Sequence, residues 1–181
     1  TLDKPEKLKN YAGIIRDQTS HLQSQVQRLL EIAYTDRSSL PLKKEKFDIN
    51  LLIAESINDL QPLIEQKHAV LNTNFAVEQL ELTADRSYLR LCLINLIENA
   101  IKYSTAPVID ISTKVDGTTL FIVIKDNGIG IATEHQKKIF ERFYRITDGE
   151  LHISKGFGLG LNFVKKVIDT HHGKIEVMSE V

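Results

Sequence analysis

The stretch TLFIVIKDNGIGI, residues 119–131, runs from an apolar segment directly into a carboxylate and two glycines. LFIVIK reads as a core strand. A single acid at the end of a buried strand, Asp126, then needs hydrogen-bond donors, supplied either by the protein or by a ligand. The glycines alone fit a hairpin or a linker, so the rest of the chain has to decide between these sources.

Immediately upstream, VIDISTKV forms a second strand, joined to the first through Asp116-Gly117, a hairpin dipeptide. Before it, Asp85 is a candidate cap for the helix RSYLRLCLINLIENAIKYS, with Leu89, Leu93, Leu96 and Ala100 on one face. Asn95, Asn99 and Lys102 follow another face at i, i+4 and i+7. An asparagine carbonyl is a hard oxygen ligand suited to Mg²⁺, and a lysine one turn on can meet a phosphate. A solvated helix face accounts for Lys102 as well, but less readily for two mid-helix asparagines. Downstream, EHQKKIFERFYR reads as a short helix. KGFGLGLNFV then brings Gly156, Gly158 and Gly160 to the start of another, where backbone N–H groups and the helix dipole favour polyphosphate. This turn follows no strand and lacks the Lys-Ser/Thr of a P-loop, so neither a dinucleotide fold nor a P-loop fits.

Further out, FDI is extended, NLLIAESINDLQPLIEQK is helical with Asn50 as candidate cap, AVLNTNF and LELTA are strands, and KIEVMS is a last strand. The order of elements predicts an α+β two-layer sandwich, one sheet with helices on one face, over residues 45–181. Residues 1–37 carry Leu8, Tyr11, Ile15, Leu22, Val26, Leu29 and Ala33 at three- and four-residue steps, which predicts one long amphipathic helix that packs on another. Residues 38–44 read as a linker.

Composition excludes several classes. The 181 residues are 42% hydrophobic and 26% charged with a formal charge of -1, so no broad basic field invites nucleic acid. The lone Cys92 cannot form an internal disulfide, which suggests a buried small side chain and a reducing compartment. No apolar run approaches the roughly 20 residues of a membrane-spanning helix.

Taken in order, NLIENAIKYS, DNGIGI, FERFYR and GFGLGL resemble the N, G1, F and G2 boxes of sensor histidine kinases, within the ATPase superfamily that includes gyrase and heat-shock chaperones. The resemblance implies a Bergerat-type ATP-binding fold. It implies that Asp126 accepts a hydrogen bond from the adenine amine, that Gly128 and Gly130 form the hinge of a mobile lid, and that Ile131, Tyr103 and Leu159 border the nucleotide. It makes Asn99 the Mg²⁺ ligand, places Asn95 and Lys102 near the phosphates, and lets Arg145 reach the γ-phosphate. Phe140 and Phe143 would anchor the lid by apolar packing, RITDGELHIS would be lid, and Gly156, Gly158 and Gly160 would approach the phosphates. Gyrase-like members carry a glutamate four residues before the Mg²⁺-ligating asparagine as general base for water; this chain has Asn95 there, which favours transfer over hydrolysis. The implied activity is ATP-dependent protein-histidine phosphotransfer.

Residues 1–37 resemble the second helix of the family's dimerisation and phosphotransfer hairpin. None of His21, His68, His135, His152, His171 or His172 has the acceptor's setting of a following acid and proline, so the chain is expected to lack its acceptor helix and not to label itself. A final strand of the catalytic domain is also expected to be lacking. The implied partners are a response-regulator receiver domain and a second kinase subunit, and the implied location is the cytoplasmic part of a membrane-bound sensor. Two other readings stay open, a non-catalytic ATP-binding module and an anti-sigma-type serine kinase. The long helix argues against the latter.

Overall fold

A computed structural model describes residues 40–77, 79–146 and 158–181. The expected long helix at 1–37, the first two residues of the linker, Gly156 and the lid stretch from residue 147 lie outside the described residues. Among those described, no helix is long and apolar enough to cross a membrane.

The chain enters through β1 (Glu45–Asp48) and turns at once into α1 (Ile49–Asp59). The cap is Asp48 and not Asn50: the Asp48 side chain accepts from Asn50 N at 2.9 Å. Asn50 is one residue inside the helix and buried, donating through Nδ2 to Val77 O at 2.8 Å and accepting from Thr113 Oγ1 at 3.4 Å. The helix expected to continue to Lys67 breaks at Leu60, because Pro62 has no N–H to give and belongs in a first turn. A new helix, α2 (Gln61–Lys67), starts there.

After β2 (Val70–Phe75) and β3 (Glu81–Ala84) comes α3 (Arg86–Lys102), capped as expected by Asp85, whose Oδ1 accepts from Tyr88 N at 3.0 Å. Asp85 also receives Lys43 N at 2.8 Å, and its own N–H donates to His171 Nε2 at 3.0 Å. β4 (Val108–Asp116) and β5 (Thr119–Asp126) form the expected hairpin. Its two-residue loop is Gly117-Thr118, one position later than the expected dipeptide, with Gly117 at φ +58°. Then follow α4 (Thr133–Gln136), a 3₁₀ turn (Lys138–Phe140) and α5 (Gly160–Thr170), so the expected EHQKKIFERFYR helix is two short turns.

The strands make two hydrogen-bonded pieces instead of one sheet: β1 antiparallel to β3, and the order β2-β4-β5 with β2 parallel and β5 antiparallel to β4. α3 packs against α1, α5, β4 and β5. Its buried side consists of Leu89, Cys92, Leu93, Ile97, Ala100 and Ile101, with Leu96 only half-buried, and it meets Ile49, Leu52 and Ile53 of α1, Ile109 and Ile111 of β4, and Phe163, Val164 and Val167 of α5. Each Leu, Ile, Val or Phe among these contributes about 1.5–3 kcal/mol by leaving water. Arg86 pairs with Glu55, and Arg90 with Asp59 at 2.5 Å, along the rim between α1 and α3.

KIEVMS keeps the burial period of a strand, Ile175, Val177 and Ser179 being half-buried and Glu176, Met178 and Glu180 exposed, but it forms no ladder. Its bonds run elsewhere: Ser179 Oγ accepts from Ile131 N at 2.9 Å, and Ser179 O accepts from Gln136 Nε2 at 2.8 Å.

Candidate functional site

The C-terminal half of α3 supports three of the four motifs. Asn95 is buried, and its Oδ1 accepts from Asn99 Nδ2 at 3.3 Å. A Cβ added to Gly160 would lie 2.5 Å from Asn95 Oδ1 and 2.6 Å from Nδ2, so the first residue of α5 rests directly on that amide. Asn99, one turn on, is half-buried, and the bond through its Nδ2 leaves its carbonyl oxygen unengaged by Asn95. Lys102 Nζ pairs with Glu98 at 2.7 Å, both side chains being more than a third exposed, so water screens the pair and either partner can exchange for a ligand. Tyr103 ends the helix with its side chain 41% exposed, and its carbonyl accepts from Ile129 N at 3.0 Å.

Asp126 is exposed, which corrects the inference from a buried strand. Phe121 and Val123 are 46% and 48% exposed, so one face of β5 is open and the apolar run is not buried on both sides. Asp126 pairs in register with Ile109 and alternates with Ile122 and Ile124, which puts it on the helix-covered face of the sheet. It is open there because α3 has already ended at Lys102. Gly128 N donates to its Oδ1 at 2.8 Å. A carboxylate on the core face of a sheet, beyond the end of the covering helix, is placed to meet a ligand from the side.

Gly128 is there for close approach. Its added Cβ would lie 2.7 Å from Asp126 Oδ1 and 2.9 Å from Tyr103 O. The neighbouring Asn127, to which the sequence motifs assigned no role, ties the loop after α3 to the end of β5. Its Oδ1 accepts from Ser104 Oγ at 3.0 Å and Val108 N at 2.9 Å, and its Nδ2 donates to Ala106 O at 2.9 Å. An open hollow of about 260 Å³ lies between these segments, lined by Ser104, Thr105, Ala106, Asn127, Gly128 and Ile129.

Gly130 has φ +75°, and its Cβ would fall 1.9 Å from Glu180 O, so both conformation and space require glycine. Ile131 is held on both sides, its N–H donating to Ser179 Oγ and its carbonyl accepting from Gln136 Nε2 at 2.9 Å. The segment expected to be a hinge is thus attached to the C-terminal stretch. Phe140 is half-buried and its carbonyl accepts from Asn162 Nδ2 of α5 at 2.8 Å, a tether that the motifs did not signal. Phe143 differs from the expected apolar anchor: its ring is 67% exposed and its φ is +62°, and it anchors through its backbone N–H, which donates to Gly158 O at 3.0 Å. Gly158 at φ +69° packs against Phe143 and Tyr144 O, and Leu159 is buried just before α5. Arg145 is exposed beside Tyr144, whose hydroxyl meets His135 Nδ1 at 2.6 Å. The residue before α5, Leu159, has no polar side chain to cap it.

Among the described residues no group of three or more His, Cys, Asp or Glu side chains could cage a metal ion. The donor set here is an amide oxygen, Asn99, which suits Mg²⁺ brought in on nucleotide phosphates and not a protein-built metal site. Cys92 plays no part: burial pushes its thiol up to about 12.

The model of the "Histidine kinase-, DNA gyrase B-, and HSP90-like ATPase" family matches residues 84–181, a span that contains α3, both glycine motifs and α5. The chain belongs to this ATPase family. Membership implies ATP binding by this domain, which has the mixed α/β fold of histidine kinase ATPase domains. The "Sensor protein RprX" of Bacteroides fragilis is 37% identical over 180 residues, which are 98% of this chain and 35% of that protein. The chain thus spans about a third of the curated relatives' length. Among solved structures, the catalytic domain of histidine kinase ThkA matches with a TM-score of 0.66 and 30% identity, covering 74% of this chain and 87% of that one. ThkA in complex with the response regulator protein TrrA matches with a TM-score of 0.67 and 29% identity, over 95% of this chain and 47% of that one.

Proposed function

We propose that the chain is the nucleotide-binding and phosphoryl-donating part of a two-component sensor kinase, which holds Mg-ATP and passes the γ-phosphoryl group to a histidine on a separate helix. The observation that carries this is the double contact of α3. Asn95 meets Gly160 of the α5 start, and Tyr103 meets Gly128 and Ile129 of the β5 end, about 12 Å apart along one helix at 1.5 Å per residue. Asn99 and Lys102 lie between. That is a base-recognition end, a phosphate end and polar groups spanning the interval. Sensor kinases among the relatives support the same reading.

In this reading Asp126 accepts from the adenine amine through Oδ2, since Gly128 N takes Oδ1. Tyr103 and Ile131 border the nucleotide, and the α5 start with Gly156, Gly158, Leu159 and Gly160 receives the phosphates. Lys102 exchanges Glu98 for phosphate oxygen, and Arg145 reaches the γ-phosphate. Asn99 Oδ1 would hold Mg²⁺, whose charge offsets that on the transferring group. The imidazole nitrogen forms the new P–N bond as the bond to the β-phosphate oxygen breaks and ADP leaves. Position 95 offers no base for water, because an amide packed against Gly160 accepts no proton.

The domain layout follows: residues 1–37 as a helix of the dimerisation and phosphotransfer hairpin, 38–44 as linker, 45–181 as the ATP-binding domain. A response-regulator receiver domain and a second kinase subunit are the partners, and the location is the cytoplasmic side of a membrane-bound sensor. The chain alone does not label itself, because none of its histidines has an acceptor's setting.

The test is incubation with γ-labelled ATP and Mg²⁺, alone and with a supplied acceptor helix. Acid-labile, base-stable phosphate should appear on the acceptor histidine only in the pair. Normal ATP binding with no transfer in the pair would favour a non-catalytic binding module, and labelling of His21 in the chain alone would overturn the missing-acceptor reading.

A further inference from the structure

We infer that Asn127 is a positioning residue for nucleobase recognition, fixing the spacing between the Asp126 carboxylate and the loop that walls the base site opposite it. This rests on the ATP-binding reading above and adds a residue to which that reading gives no role.

The base-site rim is two chain segments, 103–107 between α3 and β4 and 127–129 after β5, and neither has regular structure of its own to hold it. Four hydrogen bonds join them: Ile129 N to Tyr103 O at 3.0 Å, Ser104 Oγ to Asn127 Oδ1 at 3.0 Å, Val108 N to Asn127 Oδ1 at 2.9 Å, and Asn127 Nδ2 to Ala106 O at 2.9 Å. Three of the four run through the one Asn127 amide, which uses both its acceptor and its donor atoms. The partners are 19 to 23 residues away in sequence, so the amide closes the rim across the sheet end and not within a turn. The hollow of about 260 Å³ lies between these segments.

The carboxylate depends on the same closure. Asp126 Oδ1 is oriented by Gly128 N, and Gly128 is pressed against Tyr103 O closely enough that a Cβ would lie 2.9 Å away. If the loop moves away, Gly128 and its N–H lose that backing, and Asp126 regains rotamer freedom. An oriented acceptor reads an adenine amine; a rotating one does not discriminate it from the guanine carbonyl. The loss should therefore fall on base discrimination more than on phosphate binding.

The experiment measures ATP and GTP affinity by calorimetry, with Mg²⁺, for the wild-type chain, Asn127→Ala, Asn127→Asp and Ser104→Ala, with melting curves to establish that each folds. Wild type should prefer ATP. Asn127→Ala should lose about tenfold in ATP affinity while GTP changes little, so the ATP/GTP ratio collapses. Asn127→Asp keeps the acceptor for Ser104 and Val108 and should recover part of the ratio; Ser104→Ala, which removes one bond of three, should lose a smaller part. Equal losses for ATP and GTP in folded Asn127→Ala would make the residue merely structural, and an unchanged ratio in both Asn127 variants would overturn the inference while leaving the ATP-binding reading intact. A wild-type chain that binds neither nucleotide would overturn both. Should Asn127→Ala fail to fold, the Asn127→Asp and Ser104→Ala ratios decide, overturning the inference if both equal the wild-type value.

Discussion

Gly160→Ala sets two effects against each other with opposite signs. At the first position of α5 an alanine should stabilise the helix relative to glycine, by at most about 0.5–1 kcal/mol. Against this, the new methyl would sit 2.5 Å from Asn95 Oδ1, 2.6 Å from Nδ2 and 2.9 Å from Cγ. Asn95 is 9% exposed and cannot swing into water, and turning its amide breaks the bond from Asn99 Nδ2. Forcing a methyl into such a contact costs about 1–3 kcal/mol, and the lost hydrogen bond about 1 kcal/mol more. The steric terms win, and the net loss is about 1–3 kcal/mol. Urea denaturation should show a lower midpoint at unchanged slope. In an Asn95→Ala background the clash is gone, so the same substitution should be neutral or stabilising, a coupling of about 1–3 kcal/mol between neighbours. Gly160→Ala that is as stable as wild type would refute the helix-on-amide contact, and with it the alignment of α3 and α5 on which the proposed phosphate end of the site rests.

Asp126→Asn turns an acceptor into a donor facing the adenine amine and should lower ATP affinity about tenfold to a hundredfold, measured by calorimetry. Asn99→Ala removes the amide oxygen offered to Mg²⁺, so the gain in ATP affinity on adding Mg²⁺ should shrink while metal-free binding changes little; titration with and without chelator reads this. Cys92 is 3% exposed and its thiol is pushed up from 9.0 to about 12 by burial, so a thiol reagent at pH 8 should label it slowly in the native chain and rapidly in urea. The sign of the linked stability follows: the unfolded chain releases this proton first, so stability is indifferent to Cys92 below about 9 and falls as pH rises from there toward 12. Cys92→Ala should flatten the alkaline limb of a pH–stability curve.

What the linear sequence revealed was local and periodic. The Asp85 cap, the hairpin and the glycine-led α5 all follow from residues within a few positions of one another, and the motif order alone pointed to the family. What it concealed depended on distant partners. Asn127 lies between two motif residues, yet its function is set by Ser104, Ala106 and Val108. The break at Leu60 was signalled by Pro62 within an otherwise helical pattern, and the capping role passed from Asn50 to Asp48 because Asn50 is drawn into the interior by Val77 and Thr113. KIEVMS has the alternation of a strand, but alternation reports which side chains face inward and not whether a backbone edge is paired. Placing Asp126 at the end of a buried strand failed for a related reason: an apolar run does not reveal where the covering helix stops, and Asp126 lies beyond the end of α3.

The two glycines nearest Asp126 also answer differently to substitution, for reasons that separate the two sides of this turn. Gly128 is required by close contact with Tyr103 O and Asp126 and not by its φ, which is not in the left-handed region. Gly130 combines a left-handed φ with backbone contact to Glu180, and Ile131 and Gln136 bond to Ser179. Rotation at Gly130 therefore requires breaking the Ile131 N to Ser179 bond, or carrying the segment around Ser179 with it. The Asp126–Gly128 segment is thus attached to the end of the helix layer and Ile131 to the C-terminal stretch, and the backbone between them is the short Ile129-Gly130 link.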